Sequence, residues 1–232
     1  MSSMSRHRPP IIAQTNFQAN RSRLADLDLK SKFGVIYRRN IWGNPESVSG
    51  LGSSISATDA LRQGLHDVCR EYSINSLLDA PCGDYGWMSS AKLPIQTYIG
   101  LDIVSDLIEA NRTAFESENV HFETADLTRD SLPTVDLILC RDCLVHLSLE
   151  NIHRVLRNII QSRSRYLLTT TFPEHDQNSD IVDGDWRLLN LQRAPFLFPE
   201  PLRLINERCT EADGAYDDKS LGLWRIDSIP QL

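Results

Sequence analysis

The chain has 232 residues, 41% of them hydrophobic, enough to bury one substantial core and short for two independent ones. Its 31 acidic residues against 24 lysines and arginines leave a formal net charge of -7, so the surface as a whole repels phosphate backbones and anionic lipid, and a general nucleic-acid binder is disfavoured. No stretch reaches the roughly 18 to 20 uninterrupted apolar residues of a membrane helix, and five scattered cysteines (Cys69, Cys82, Cys140, Cys143 and Cys209), with no secretory apolar segment before them, point to a reducing, cytoplasmic setting.

In chain order, residues 1–23 combine Arg6, Arg8, Arg21 and Arg23 with several serines, the pair Pro9-Pro10 and no acid before Asp26. They read as a disordered tail, with an organelle-targeting peptide as the alternative. Leu24, Leu27, Phe33 and Ile36 lie along one face of a helix expected between Leu24 and Arg39. The Gly- and Ser-rich stretch from Asn40 to Ser54 reads as a loop, and its Trp42 suggests a lid. A second helix is expected from about Ala57 to Tyr72, with Leu61, Leu65 and Val68 buried, so that residues 24–72 make an N-terminal helical lid.

From Ser73 onward, strand-like and helix-like segments alternate, the pattern of βαβ units. The expected strands are Ser76–Ala80, Thr97–Leu101, Val120–Glu123, Val135–Cys140 and Tyr166–Thr170; the helices are Asp106–Phe115 and Leu149–Ile160, the latter capped by Ser148. Two more strands are expected, one around Phe196–Phe198 or Leu202–Ile205 and one at Leu221–Ile226. The fold class is therefore α/β: a Rossmann-like, doubly wound, mostly parallel seven-stranded sheet over residues 73–232, with one antiparallel C-terminal pair.

The segment Ser76-Leu-Leu-Asp-Ala-Pro-Cys-Gly-Asp-Tyr-Gly-Trp-Met88 is an apolar strand that ends in an acid and runs through a glycine turn into a helix. Such turns let the backbone approach a ligand closely and offer it unpaired N–H groups. About twenty residues later a second strand ends in Asp102, where nucleotide-binding α/β folds place a carboxylate for ribose hydroxyls. Asp126 closes the third strand, and the fourth ends at Arg141-Asp142.

From Leu77 to Thr171 this order resembles the class I S-adenosylmethionine-dependent methyltransferases, which carry a glycine turn after the first strand and acids after the second and third. Here Pro81 and Tyr85 stand at the first and last glycine positions of the usual turn, while Gly83 is kept and Gly86 is displaced. The chain is more closely similar to a subset with an Asp-Ala-Pro-Cys-Gly-Asp turn preceded by a Trp-Gly-x-x-Glu-Ser-x-Ser-Gly lid, present as Trp42 to Gly50. The resemblance implies S-adenosyl-L-methionine as cofactor. Asp79, Gly83 and Asp84 would hold its methionine part, Asp102 and Ile103 the ribose and adenine, and Asp126 and Leu127 the adenine edge, with Trp42 and Arg141 completing the pocket.

For the acceptor side, His146 and His175 follow the fourth and fifth strands, where a base can act. His146 with Asp142 is the candidate catalytic pair, against a structural histidine and a helix-capping acid. His175, Trp186, Arg187 and Asn190 are candidate acceptor contacts in a loop-rich insert at about 173–201, against Trp186 covering the sheet and Arg187 pairing with an acid. The expected reaction is methyl transfer to an oxygen or nitrogen of a small polar molecule. The alternatives are a nicotinamide-dependent reductase, a cofactor binder without turnover, and a methyltransferase of protein or nucleic acid. Cys140 and Cys143 have zinc-pair spacing, but no second pair follows and no metal is expected.

Overall fold

The computed structural model describes residues 8–231. The expected disordered tail is corrected over its second half; residues 1–7 lie outside the described residues. Helix α1 (Ile12–Leu24) buries Phe17 and Leu24 against Ile36 and Ile41. Its pattern is hard to read because little of it is apolar and part of its docking is polar: Asn16 donates to the Ile41 carbonyl at 2.8 Å, and Gln18 donates to Asp185. The helix expected over Leu24–Arg39 starts later, since Asp28 caps α2 (Leu29–Arg38) by accepting from the Ser31 amide at 2.8 Å. Helix α3 (Asp59–Glu71) buries Leu61, Leu65 and Val68 as its spacing predicts.

The remaining elements are β1 (Ser76–Asp79), α4 (Gly86–Ser89), β2 (Thr97–Asp102), α5 (Ser105–Phe115), β3 (Val120–Thr124), β4 (Leu137–Cys140), α6 (Leu149–Gln161), β5 (Tyr166–Thr171), β6 (Arg203–Asn206) and β7 (Ser220–Arg225). They form one seven-stranded sheet in the order β3-β2-β1-β4-β5-β7-β6. The first five strands are parallel, and β7 lies antiparallel between β5 and β6. The doubly wound α/β architecture is thus the expected one. Strand residues alternate between faces: Leu77, Leu139 and Leu168 pack with α3 and with Ile108 of α5, while Leu78, Ile138 and Leu167 pack with Ile152, Val155 and Leu156 of α6.

Of the two candidates for the sixth strand, the second is correct. Phe196 and Phe198 are buried in the core, but Leu197 between them has φ +51° and is exposed, so they belong to a turn. Chain order reverses between β1 and β4, where open α/β sheets form a crevice outside the strand carboxyl ends. Because β6 runs parallel to β5, its carboxyl end and the start of β7 reach the same rim.

Candidate functional site

A crevice of about 1060 Å³, partly open to solvent, occupies that switch point. Asp79, Gly83, Asp102, Ile103, Asp126 and Leu127 line it together, as do Trp42 and Arg141. The parallel register explains the convergence: Asp79 is level with Gly100 and Leu139, and Asp102 with Thr124, so the acids project from neighbouring strand ends.

Asp102 organises the glycine turn. One carboxylate oxygen accepts from the Gly83 amide at 3.2 Å and the other from the Val104 amide at 2.9 Å. Gly83 has φ +56°, and a Cβ there would stand 2.3 Å from the Ser49 hydroxyl, so the Trp42 to Gly50 segment rests directly on the turn. Burial pushes Asp102 up to about 6 against these backbone bonds. It pushes Asp79 up to about 7, against the hydrogen bond from the Tyr98 hydroxyl at 2.7 Å. Asp126 is held by Thr128, whose amide and hydroxyl both donate to one of its oxygens.

Asp84 departs from expectation, because it is absent from the crevice lining. Its carboxylate accepts from the Ser47 hydroxyl at 2.6 Å and from the Gly86 amide, while its own amide donates to the Ser49 hydroxyl. It therefore fastens the segment carrying Ser47 and Ser49 to the turn. Arg141 adds a second fastening by donating to the Gly52 carbonyl at 2.8 Å.

A second cavity of about 580 Å³ adjoins the crevice, and Trp42, Ser49, Asp142 and His146 line both. His146 stacks on Trp42 with centroids 4.8 Å apart, and its Nδ1 lies 2.8 Å from the Asp185 carbonyl. A carbonyl only accepts, so Nδ1 carries the proton and Nε2 keeps its lone pair. Burial pushes the ring down to about 4, so it is neutral near pH 7.

Sequence reasoning missed Glu207 and Lys219, which complete a buried charge network on the same rim. Arg141 pairs with Glu207 at 2.6 Å, and Lys219 reaches Asp142 at 2.6 Å and Glu207 at 3.6 Å. Burial alone would raise Asp142, but Lys219 and Arg141 outweigh it and hold the carboxyl well below its usual range. The findable signal was a charged residue flanking each antiparallel strand, directly after β6 and directly before β7.

The insert residues divide. Trp186 lines the second cavity. Arg187 and Asn190 are corrected to structural roles: Arg187 donates to the Leu144, Leu147 and Ser179 carbonyls, and Asn190 to those of Pro173 and His175. Both are buried and line neither cavity. His175 also lies outside both, half-buried, with its amide bonded to the Phe172 carbonyl.

Among the described residues no group of three or more His, Cys, Asp or Glu side chains could hold a metal ion, and no helix is long and apolar enough to cross a membrane. No curated protein matches the chain. Solved structures of similar fold include a protein from Pyrococcus horikoshii (22% identity, TM-score 0.43, 50% of this chain and 56% of that one). Two others are an S-adenosylmethionine-dependent methyltransferase from Mesorhizobium loti (21%, 0.37, 42% and 46%) and the N-methyltransferase NodS from Bradyrhizobium japonicum with S-adenosylhomocysteine bound (13%, 0.48, 62% and 74%). The chain spans about half the length of the first two. Residues 77–163, from β1 into the turn after α6, match the family model described as a methyltransferase domain.

Proposed function

We propose that the chain is an S-adenosyl-L-methionine-dependent methyltransferase that methylates an oxygen or nitrogen of a small polar molecule, within the subset marked by the Asp79 to Asp84 turn and the Trp42 to Gly50 lid. The observation that carries this reading is the convergence of Asp79, Gly83, Asp102, Ile103, Asp126 and Leu127 on one crevice. The residues fit an adenosyl ligand. The turn has no room for a Cβ at Gly83, Asp102 offers its remaining lone pairs at a strand end, and the Trp42 indole nitrogen is buried there without a partner among the described residues.

The cofactor supplies an electrophilic methyl group on a sulfonium. This chain's residues align the acceptor with it and exclude water, since in-line transfer gains most from positioning. The acceptor seat in this reading is the second cavity. His146, with its Nδ1 proton fixed by Asp185, turns its Nε2 lone pair to an acceptor hydroxyl and takes the proton as the methyl transfers; a neutral amine loses its proton afterwards. Asp142 keeps Lys219 bound and adds negative charge that favours protonated His146. A small acceptor is supported by the modest size and the aromatic side chains of that cavity, and a cytoplasmic setting by five free cysteines.

The test pairs calorimetry with a transfer assay. S-adenosylhomocysteine should bind and NADH should not; binding of NADH alone would overturn the reading. Labelled methyl groups should reach the metabolite fraction of a cell extract, and label found solely in protein or nucleic acid would overturn the small-molecule acceptor.

A further inference from the structure

The second cavity discriminates between acceptors by charge. Its lining includes Trp42 and His146, stacked, together with Phe172, Trp186 and Tyr216, which meet edge to face with centroids between 5.3 and 6.3 Å apart. Its charged lining residues are Asp142, Lys219 and Glu211. Lys219 is neutralised by Asp142 at 2.6 Å and Glu207 at 3.6 Å, and Glu207 in turn also holds Arg141. Glu211 is left over: among the described residues no ion pair or hydrogen bond reaches its carboxylate. One negative charge therefore faces a space whose walls include four aromatic rings.

A carboxylate withdrawn from water in such surroundings is costly until a cation joins it, and aromatic faces attract cations. Access supports the same assignment. A third cavity, at the surface, shares Leu51, Gly52, Cys209, Glu211 and Lys219 with the second, so Glu211 stands where a ligand passes inward between the lid turn and the segment after β6. We propose that the second cavity takes a small organic cation, an acceptor bearing a protonated or alkylated amine, with Glu211 as its counter-ion and the rings of Trp42, Trp186 and Tyr216 around it. This rests on the methyltransferase reading, in which the atom that receives the methyl lies towards His146 and the ammonium group lies towards Glu211.

The test is calorimetry on the full chain saturated with S-adenosylhomocysteine, using as probes tyramine and tyrosol, which share a phenol ring and differ in an ammonium against a hydroxyl. Tyramine should bind about tenfold more tightly, the size of one charge-assisted contact. Glu211→Gln should bring the two within about twofold while the S-adenosylhomocysteine affinity stays unchanged and the melting temperature does not fall, and Glu211→Asp should keep most of the preference. Equal binding of the two probes, binding of neither, or a preference that survives Glu211→Gln overturns the proposal and leaves the cofactor reading intact. Failure of S-adenosylhomocysteine itself to bind overturns both.

Discussion

Asp102→Asn is the substitution on which the cofactor reading is most exposed. The Asp102 carboxylate accepts one backbone N–H on each oxygen, from Gly83 at 3.2 Å and Val104 at 2.9 Å. An ionised carboxylate has about four acceptor sites, so about two remain for ribose hydroxyls. Asparagine keeps one acceptor oxygen and turns an NH2 toward groups that are themselves donors. Losing two hydrogen bonds to a charged acceptor costs about 3 kcal/mol, or roughly 150-fold in affinity for S-adenosylhomocysteine. The pH dependence gives an independent reading of the same oxygen. Burial pushes Asp102 up to about 6, and only the ionised form accepts from both hydroxyls. At pH 5 about one tenth of the ligand-free protein has this form, so binding should be about tenfold weaker than at pH 8. Folding responds with the opposite sign. The folded-state pKa lies above the ordinary 3.8, so the group's contribution to stability is fully present below about 4 and is lost as pH rises to about 6. Ligand-free melting temperature and ligand affinity should thus move in opposite directions across this window. In Asp102→Asn the step near 6 should vanish from both, while the separate step of Asp79, pushed to about 7, persists. Calorimetry and thermal denaturation from pH 5 to 8 read both quantities. An Asp102→Asn protein that binds S-adenosylhomocysteine within threefold of the parent, with the same pH profile, would refute the assignment.

Two further outcomes follow from the geometry. His146→Ala should lower turnover about 10²- to 10⁴-fold with S-adenosylhomocysteine affinity nearly unchanged, and the parent's rate at saturating cofactor should stay flat from pH 8 until it falls as the ring protonates near 4; a rate unaffected by the substitution makes His146 a packing residue. Arg187→Met should cost about 3 kcal/mol in urea denaturation by orphaning the Leu147 and Ser179 carbonyls and leaving that of Leu144 with its backbone donor alone, with acceptor KM unaltered once the protein is folded; a raised KM at unchanged stability would return Arg187 to the acceptor site.

The meeting of the strand-end acids at one crevice was legible because its signal is local. Each of Asp79, Asp102 and Asp126 ends a strand or closely follows one, the strands are short and apolar, and parallel pairing brings their ends to one edge once the βαβ order is recognised. Asp84 was expected in that crevice and does not line it. Its neighbour Gly83 sets the turn by backbone conformation, which sequence reports well, whereas the direction of Asp84 depends on Ser47, thirty-seven positions earlier, resting against it. Helix α1 was missed for a related reason. Its stability comes from docking two apolar side chains and several polar ones onto a distant surface, which leaves only a weak amphipathic period.

The insert in which acceptor contacts were expected obeys a different constraint. The insert after β5 runs for some thirty residues with no strand or helix of its own, so carbonyls such as those of Pro173, His175 and Ser179, like that of Leu147 after β4, have no partner in a strand or helix ladder. Polar side chains nearby are drawn into satisfying them: Arg187 spends its guanidinium on three carbonyls and Asn190 its amide on two. An arginine and an asparagine in an aromatic loop therefore announce a loop that solvates itself as readily as one that binds a ligand. What distinguishes the two is whether the polar groups are already paired, and pairing is decided in three dimensions. By that criterion Glu211 and the Nε2 of His146, both on a cavity wall and unpaired among the described residues, are groups left for a ligand, and neither stands out in the sequence from the paired residues around it.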